Sequence, residues 1–301
     1  MKDCRKVFTE ELLKLARADQ SIFALATDSR GSTTLNGFAA ELPGQFVECG
    51  IAEQDAVGIA AGLAVGGMRP FVCGPACFLS LRSGEQVKVD VAYSRSNVKI
   101  IGVSGGVSYG ALGGTHHAIQ DIALMRTFHG LEVLLPADGR QMAAMTGYLA
   151  GSASPAYVRM GRGEVPDVYE NGSCFAVGKA NVLREGGTAA IIACGEMVWP
   201  ALQAAEMLGD VMVVDMHTVS PLDIETVLRA ADTRLVVTVE EHSVRGGLGG
   251  AVAEALSVLR PTMMRIMGFP DEELYNGPAQ AVKDRYGLNP AGITETVRAA
   301  R

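Results

Sequence analysis

With 301 residues, 48% of them apolar and 20% charged, the chain has enough material for two ordinary domains with real cores. A net charge of −7 without any Lys/Arg block excludes general attraction to nucleic acid or to an anionic membrane as its basis of binding. The uncharged run over 56–68 is too short and too rich in glycine to span a bilayer.

Met1-Lys2-Asp3-Cys4-Arg5-Lys6 leads into an amphipathic stretch over 8–18 with no apolar leader, so the expected location is the cytoplasm. Strand-like runs at 22–27, 46–49, 70–73, 98–104, 133–136 and 156–160 alternate with helical ones, the pattern of a parallel sheet covered by helices. From 161 to 172 Gly, Pro, Asp and Asn cluster and the periodicity stops, which marks a linker. Beyond it, runs at 189–194, 211–214, 235–239 and 263–267 alternate with helices over 200–208, 222–231 and from near 248, a small second domain. The expected fold is α/β with two doubly wound domains, 1–165 and 177–301, joined by a linker over 166–176. Ser220 is the expected helix N-cap, with Pro221 at the first helical position and Asp223 in the first turn. Cys4, Cys49, Cys73, Cys77, Cys174 and Cys194 are scattered, mostly in apolar runs, as reduced core thiols are. Cys73 and Cys77 lack a second pair or a nearby histidine, so no metal set is assigned.

Glu53 stands where a short strand runs into a helix rich in Ala and Gly on every side. That helix reads as interior, and a lone interior carboxylate is poorly explained by packing. Taken alone, Glu53 also suits a helix N-terminal carboxylate favoured by the macrodipole. The segment Gly50-Ile51-Ala52-Glu53-Gln54, however, resembles the signature of the thiamine-diphosphate enzymes of the transketolase family. This implies a pyrimidine-binding domain of the thiamine-diphosphate-binding fold followed by a transketolase C-terminal domain. It also implies that Glu53 is catalytic and cofactor-binding, sharing a proton with the pyrimidine N1′ so that the cofactor reaches its imino form.

Other segments extend the resemblance. In Pro70 to Val87, Phe78 matches the first of the family's pocket aromatics, while Leu81 and Gly84 occupy the places of two more; Phe78 and Leu81 are the expected cofactor contacts. As residues alone, the two also read as an i, i+3 core pair. The Gly-rich loop 105–121 ends in His116-His117, and His116 matches the histidine that contacts the donor ketose and steadies charge on the adduct. Leu112 stands where the family has Asp, and Ser104 where many members have a phosphate-contacting His. Arg162 matches the arginine that binds the substrate anion, for which a planar guanidinium is suited. Arg5 and Ser32 lie near further substrate contacts of the family, and equally suit a solvated surface role. In Glu240-Glu241-His242-Ser-Val-Arg245-Gly-Gly-Leu-Gly-Gly, the glycines serve close helix packing or an anion at a helix N-terminus.

The chain contains no Gly-Asp-Gly, the motif with which transketolases hold Mg²⁺ and the cofactor diphosphate. The resemblance therefore implies one chain of a split transketolase. An N-terminal partner subunit would hold Mg²⁺ and the diphosphate in an α2β2 assembly, and the substrates would be small sugars. A 2-oxo-acid dehydrogenase β-type subunit, a deoxyxylulose-phosphate synthase fragment and a non-catalytic partner subunit are the alternatives.

Overall fold

The computed structural model describes residues 1–170 and 175–300. Seven strands form the first sheet, in the order Thr218–Ser220, Glu132–Leu134, Ala156–Arg159, Lys99–Val103, Arg69–Pro75, Ile22–Ala26 and Phe46–Glu48. All neighbours from Glu132–Leu134 to Phe46–Glu48 pair in parallel. The inner strands are apolar on both faces, with Leu25, Phe71, Val72, Ile100 and Ile101 fully buried, so helices must cover both sides. On one side lie the helices Cys4–Ala18 and Gly139–Gly151, which bring Phe8, Leu12, Met142 and Leu149 into a common core. On the other, the helix Glu53–Val65 and the short helical segments through 76–93 supply Ala56, Ala60, Leu79, Val87 and Val91.

The second sheet has five strands, in the order Met264–Phe269, Val236–Ser243, Ala189–Ala193, Val211–Asp215 and Asn181–Arg184. The first four are parallel and the last is an antiparallel edge. The α/β class and two parallel sheets agree with the sequence reading.

Three local expectations are corrected. Ser220 does not cap a helix: Thr218–Ser220 crosses to the first sheet, pairs antiparallel with Glu132–Leu134 and becomes that sheet's short edge strand. Asp223 is the N-cap of Ile224–Ala230, and its carboxylate accepts from Thr226 N at 3.1 Å and Ala180 N at 2.8 Å. The backbone just before and within the start of the expected linker bonds to the first domain. Glu164–Val165 pairs with Lys2–Asp3, and Asp138 Oδ2 accepts from Val168 N at 2.8 Å and Tyr169 N at 2.9 Å. Residues 171–174, including Cys174 and part of that linker, lie outside the described residues, as does Arg301. The helix after Glu53 is not interior all round: Gln54, Asp55, Gly58 and Ile59 are exposed, while Glu53, Ala56, Val57, Ala60 and Ala61 are buried.

The glycines after Glu240 serve packing. Glu240 itself occupies the N-terminus of the helix Leu248–Leu259, accepting from Leu248 N and Gly249 N at 2.7 Å each, and a Cβ on Gly249 would fall 2.4 Å from Ile266.

A polar seam joins the two layers. Asp215 is fully buried at the end of Val211–Asp215, and its Oδ2 accepts from Gln141 Nε2 at 2.8 Å and from the Tyr169 hydroxyl. Burial outweighs those bonds and pushes its carboxyl from 3.8 up to about 7. A raised folded-state value means a stabilising contribution complete below the unfolded value of 3.8 and lost as pH rises through about 7. Asp215→Asn keeps an acceptor without the charge. Its thermal midpoint relative to wild type is therefore expected to climb between about pH 4 and pH 8; an offset independent of pH would contradict this.

Candidate active site

The candidate residues collect at the carboxyl ends of the first sheet's strands, where open α/β sheets present ligands. Glu53 opens its helix after the strand Phe46–Glu48 and is only 2% exposed. Its Oε2 accepts from Arg82 Nη1 at 2.7 Å. The same guanidinium lies 4.7 Å from the centre of the Phe78 ring, on the helix Ala76–Leu81. Phe78 meets His116 edge to face at 5.3 Å, and Tyr109 meets His116 from another side at 5.7 Å. Arg162 stacks over Tyr109 at 4.9 Å, and the Tyr109 hydroxyl donates to Ser32 Oγ at 3.2 Å. Glu53, Phe78, His116, Arg162 and Ser32, which come from five separate segments, thus form one continuous set of contacts.

The loop that carries Tyr109 and His116 is held from beneath. Its base is closed by Gly106 N to Ala118 O at 3.0 Å and the return bond at 2.8 Å. Val107 N donates to Glu241 Oε1, on the second sheet, at 2.8 Å, and Gly277 N donates to Gly110 O at 3.3 Å. Glycine is required here, because a Cβ on Gly106, at φ +61°, would lie 2.3 Å from Glu241 Oε1, and one on Gly110 would lie 2.3 Å from Gly277 O. His117 is buried and its Nε2–H donates to Gly110 O at 3.3 Å; burial holds the imidazole below its usual value, in the neutral form. His117 therefore shapes the loop, whereas His116 is half-buried with Nδ1 2.9 Å from Thr115 Oγ1.

Two expected contacts stand differently. Arg5 is neither solvated nor free for a substrate anion: it is 9% exposed, two of its nitrogens grip Asp3 at 2.6 and 3.1 Å, and Nη1 donates to the Ser32 carbonyl at 3.0 Å. An aspartate two residues away claims the guanidinium, which is left to support the Ser32 turn. Leu81, one turn after Phe78, is 52% exposed, so the expected core pair does not form. Within the strand-end segment the two arginines part company. Arg159 is buried, 3.3 Å from Asp121 Oδ2 and donating to Glu241 O at 2.7 Å, while Arg162 is exposed. Sequence reasoning missed Arg82, Tyr109 and Glu241, whose partners lie far away in the chain; only the Arg82 charge in an otherwise uncharged helical run offered a signal.

The residues present fit the pyrimidine end of thiamine diphosphate. A buried carboxyl stands beside a half-buried aromatic ring, and nearby strand ends carry Thr27 Oγ1, Ser29 Oγ and Ser104 Oγ, buried without hydrogen-bond partners among the described residues. Ser104 holds φ +57°, an uncommon conformation for a side-chain-bearing residue. Among the described residues no group of three or more His, Cys, Asp or Glu side chains is placed to hold a metal.

The chain belongs to the transketolase family: residues 1–168 match its pyrimidine binding domain and residues 178–293 its C-terminal domain. It is 54% identical over 299 residues to an apulose-4-phosphate transketolase subunit of Phocaeicola vulgatus, covering 97% of this chain and 96% of that one. A 6-deoxy-6-sulfo-D-fructose transketolase subunit of a Clostridium species is 38% identical over 98% of this chain and 92% of its own. Among solved structures, one described as a split gene transketolase, inactive beta4 tetramer, superposes with a TM-score of 0.91 at 36% identity, covering 100% of this chain and 98% of the other. These relatives favour the transketolase reading over a 2-oxo-acid dehydrogenase subunit.

Arg82→Met removes the partner of a buried carboxylate while keeping an apolar stem over Phe78. Because Arg82 is itself 46% exposed, the expected loss of stability in the isolated chain is about 1–3 kcal/mol, between the values for surface and buried pairs. Denaturant melts measure it, and an unchanged midpoint would show that the pair contributes nothing.

Proposed function

We propose that this chain is the pyrimidine-binding and C-terminal half of a two-chain, thiamine-diphosphate-dependent transketolase that passes a two-carbon ketol unit from an anionic ketose to an aldose. The unbroken contact path from Glu53 through Arg82, Phe78, His116 and Tyr109 to Arg162 carries this reading, since it joins an acid suited to the pyrimidine to a cation suited to a sugar anion.

Bound thiamine diphosphate supplies the nucleophilic carbon and the electron sink. Glu53, now paired with Arg82, would hold the pyrimidine end by sharing a proton with N1′. The half-exposed Arg82 is free to swing toward solvent, uncovering the Phe78 face for stacking. Thr115 fixes His116 at Nδ1, which leaves Nε2 for the oxygen on which charge builds. Arg162, with Ser32 close by, takes the terminal phosphate or sulfonate. Leu81 completes the pyrimidine wall once a partner covers it.

A partner chain holds Mg²⁺ and the diphosphate in an α2β2 assembly. We assign the exposed Ile51 and Leu81, close in sequence to Glu53 and Phe78, with Ile59 farther along the Glu53 helix, to the face that it covers. The relatives' names as transketolase subunits, and the inactive tetramer described for the solved relative, support dependence on a partner. The name of the Phocaeicola vulgatus relative supports apulose 4-phosphate as the first substrate to try. Leu112 in place of the family's Asp agrees with a donor that offers a different hydroxyl pattern. Among the described residues no helix is long and apolar enough to cross a membrane, and we place the assembly in the cytoplasm.

With the partner present, Glu53→Gln keeps the side-chain volume but cannot share the proton, so turnover is expected to fall by about 10²–10⁴-fold with the assembly intact by size-exclusion chromatography. Near-normal turnover would make Glu53 structural. Arg162→Ala is expected to weaken KM for anionic donors by about 1.5–3 kcal/mol, the worth of a charge-assisted contact. An unchanged KM across phosphorylated, sulfonated and uncharged donors would remove Arg162 from the site.

A further inference from the structure

Three residues assigned to the substrate, His116, Arg162 and Ser32, each meet Tyr109. The His116 ring is 5.7 Å from the phenol at 78°, the Arg162 guanidinium is 4.9 Å over its ring, and its hydroxyl donates to Ser32 Oγ at 3.2 Å. We propose that Tyr109 is the specificity-determining residue that fixes how far the anion-binding Arg162 stands from His116, so that the site selects donors by the spacing between their reacting carbonyl and their terminal anion. The inference rests on the ketol-transfer reading and deepens it.

The physical case starts from Arg162. It is exposed, and an exposed arginine has many rotamers to lose when it binds an anion. Stacked on a phenol, the guanidinium spends its face on the ring and keeps its in-plane N–H groups for phosphate or sulfonate oxygens, already oriented. Tyr109 can serve as a fixed post because its backbone is held: Leu112 N bonds back to Tyr109 O at 2.7 Å, Gly277 N donates to Gly110 O at 3.3 Å, and Glu241 grips Val107 N at 2.8 Å. The hydroxyl on Ser32 fixes the ring's far end, and Arg5 holds the Ser32 carbonyl at 3.0 Å. His116 in turn lies between Tyr109 and Phe78, at 5.7 and 5.3 Å, so the ring that places the cation also places the imidazole. Filling space alone would not require one ring to meet an imidazole edge, a guanidinium face and a serine hydroxyl together.

The test uses the assembled enzyme, this chain with its partner, in wild type, Tyr109→Phe, Tyr109→Leu and Arg162→Ala, plus the Tyr109→Leu/Arg162→Ala double variant. KM and kcat are measured for ketose phosphates that differ by one carbon in length and for an uncharged ketose, and affinity for inorganic phosphate is measured separately by titration. Tyr109→Leu is expected to raise KM for the preferred phosphate about three- to thirtyfold, the range of a stacked cation, and to narrow the preference between chain lengths. The loss should fall on KM for charged donors and not on the uncharged one. Tyr109→Phe, which keeps the face under Arg162 but loses the bond to Ser32, should hold phosphate affinity better than Tyr109→Leu while still narrowing the chain-length preference, and the double variant should be little worse than Arg162→Ala, since both remove one interaction. Phosphate affinity should follow the same order without any turnover. Losses of equal size for charged and uncharged donors, additive losses in the double variant, or an unchanged phosphate affinity in Tyr109→Leu would overturn the proposal. An assembled wild type that binds phosphate through Tyr109 but transfers no ketol unit would instead refute the ketol-transfer reading, and with it the assignment of Tyr109 to donor spacing.

Discussion

A carboxylate taken almost wholly out of water must be matched by a cation or a proton-sharing partner, and Glu53 is the place where this chain meets that demand. In the isolated chain Arg82 meets it, from a helix whose Phe78 ring lies under the same guanidinium. One arginine therefore satisfies the acid and covers the aromatic face, the two features that suit a pyrimidine. In the proposed function, filling the site is an exchange of partners at a buried acid. The net gain on binding is the difference between two satisfied states, which is smaller than either contact suggests.

The chemistry assigned to the first sheet leans on the second. Glu241 reaches from Val236–Ser243 to hold Val107 N, its own carbonyl receives Arg159, and Arg159 and Tyr157 both converge on Asp121. The Gly277 turn seats the loop from the other end. A Cβ would meet the Glu241 carboxylate at Gly106, which also has a positive φ, and the Gly277 carbonyl at Gly110, which gives these glycines of the loop a geometric reason beyond flexibility. Together with Thr218–Ser220 extending the first sheet, these contacts make the C-terminal half a structural part of the site's frame.

The alternation of apolar strands and helices made both sheets legible, because parallel strands buried on two faces leave a strong compositional trace. Glu53, Phe78, His116 and Arg162 were legible as residue types set at strand ends within motif segments. What escaped was contact between segments. Arg82 finds Glu53 across 29 positions and Glu241 finds Val107 across 134, and neither spacing has a period. Arg5 was misread for the opposite reason: its decisive neighbour, Asp3, is so near that the pair forms locally and consumes the charge. Ser220 and Pro221 have the composition of a helix start, and the edge of the other sheet overrode that local preference.

The central claim is that this chain supplies the pyrimidine half of a cofactor site that a second chain completes. Calorimetric titration of thiamine diphosphate with Mg²⁺ into this chain alone, the partner alone and the equimolar mixture tests it most directly. The account predicts saturable binding at one cofactor per pair of chains in the mixture and much weaker binding to either chain alone. Tight stoichiometric binding to this chain alone would contradict it.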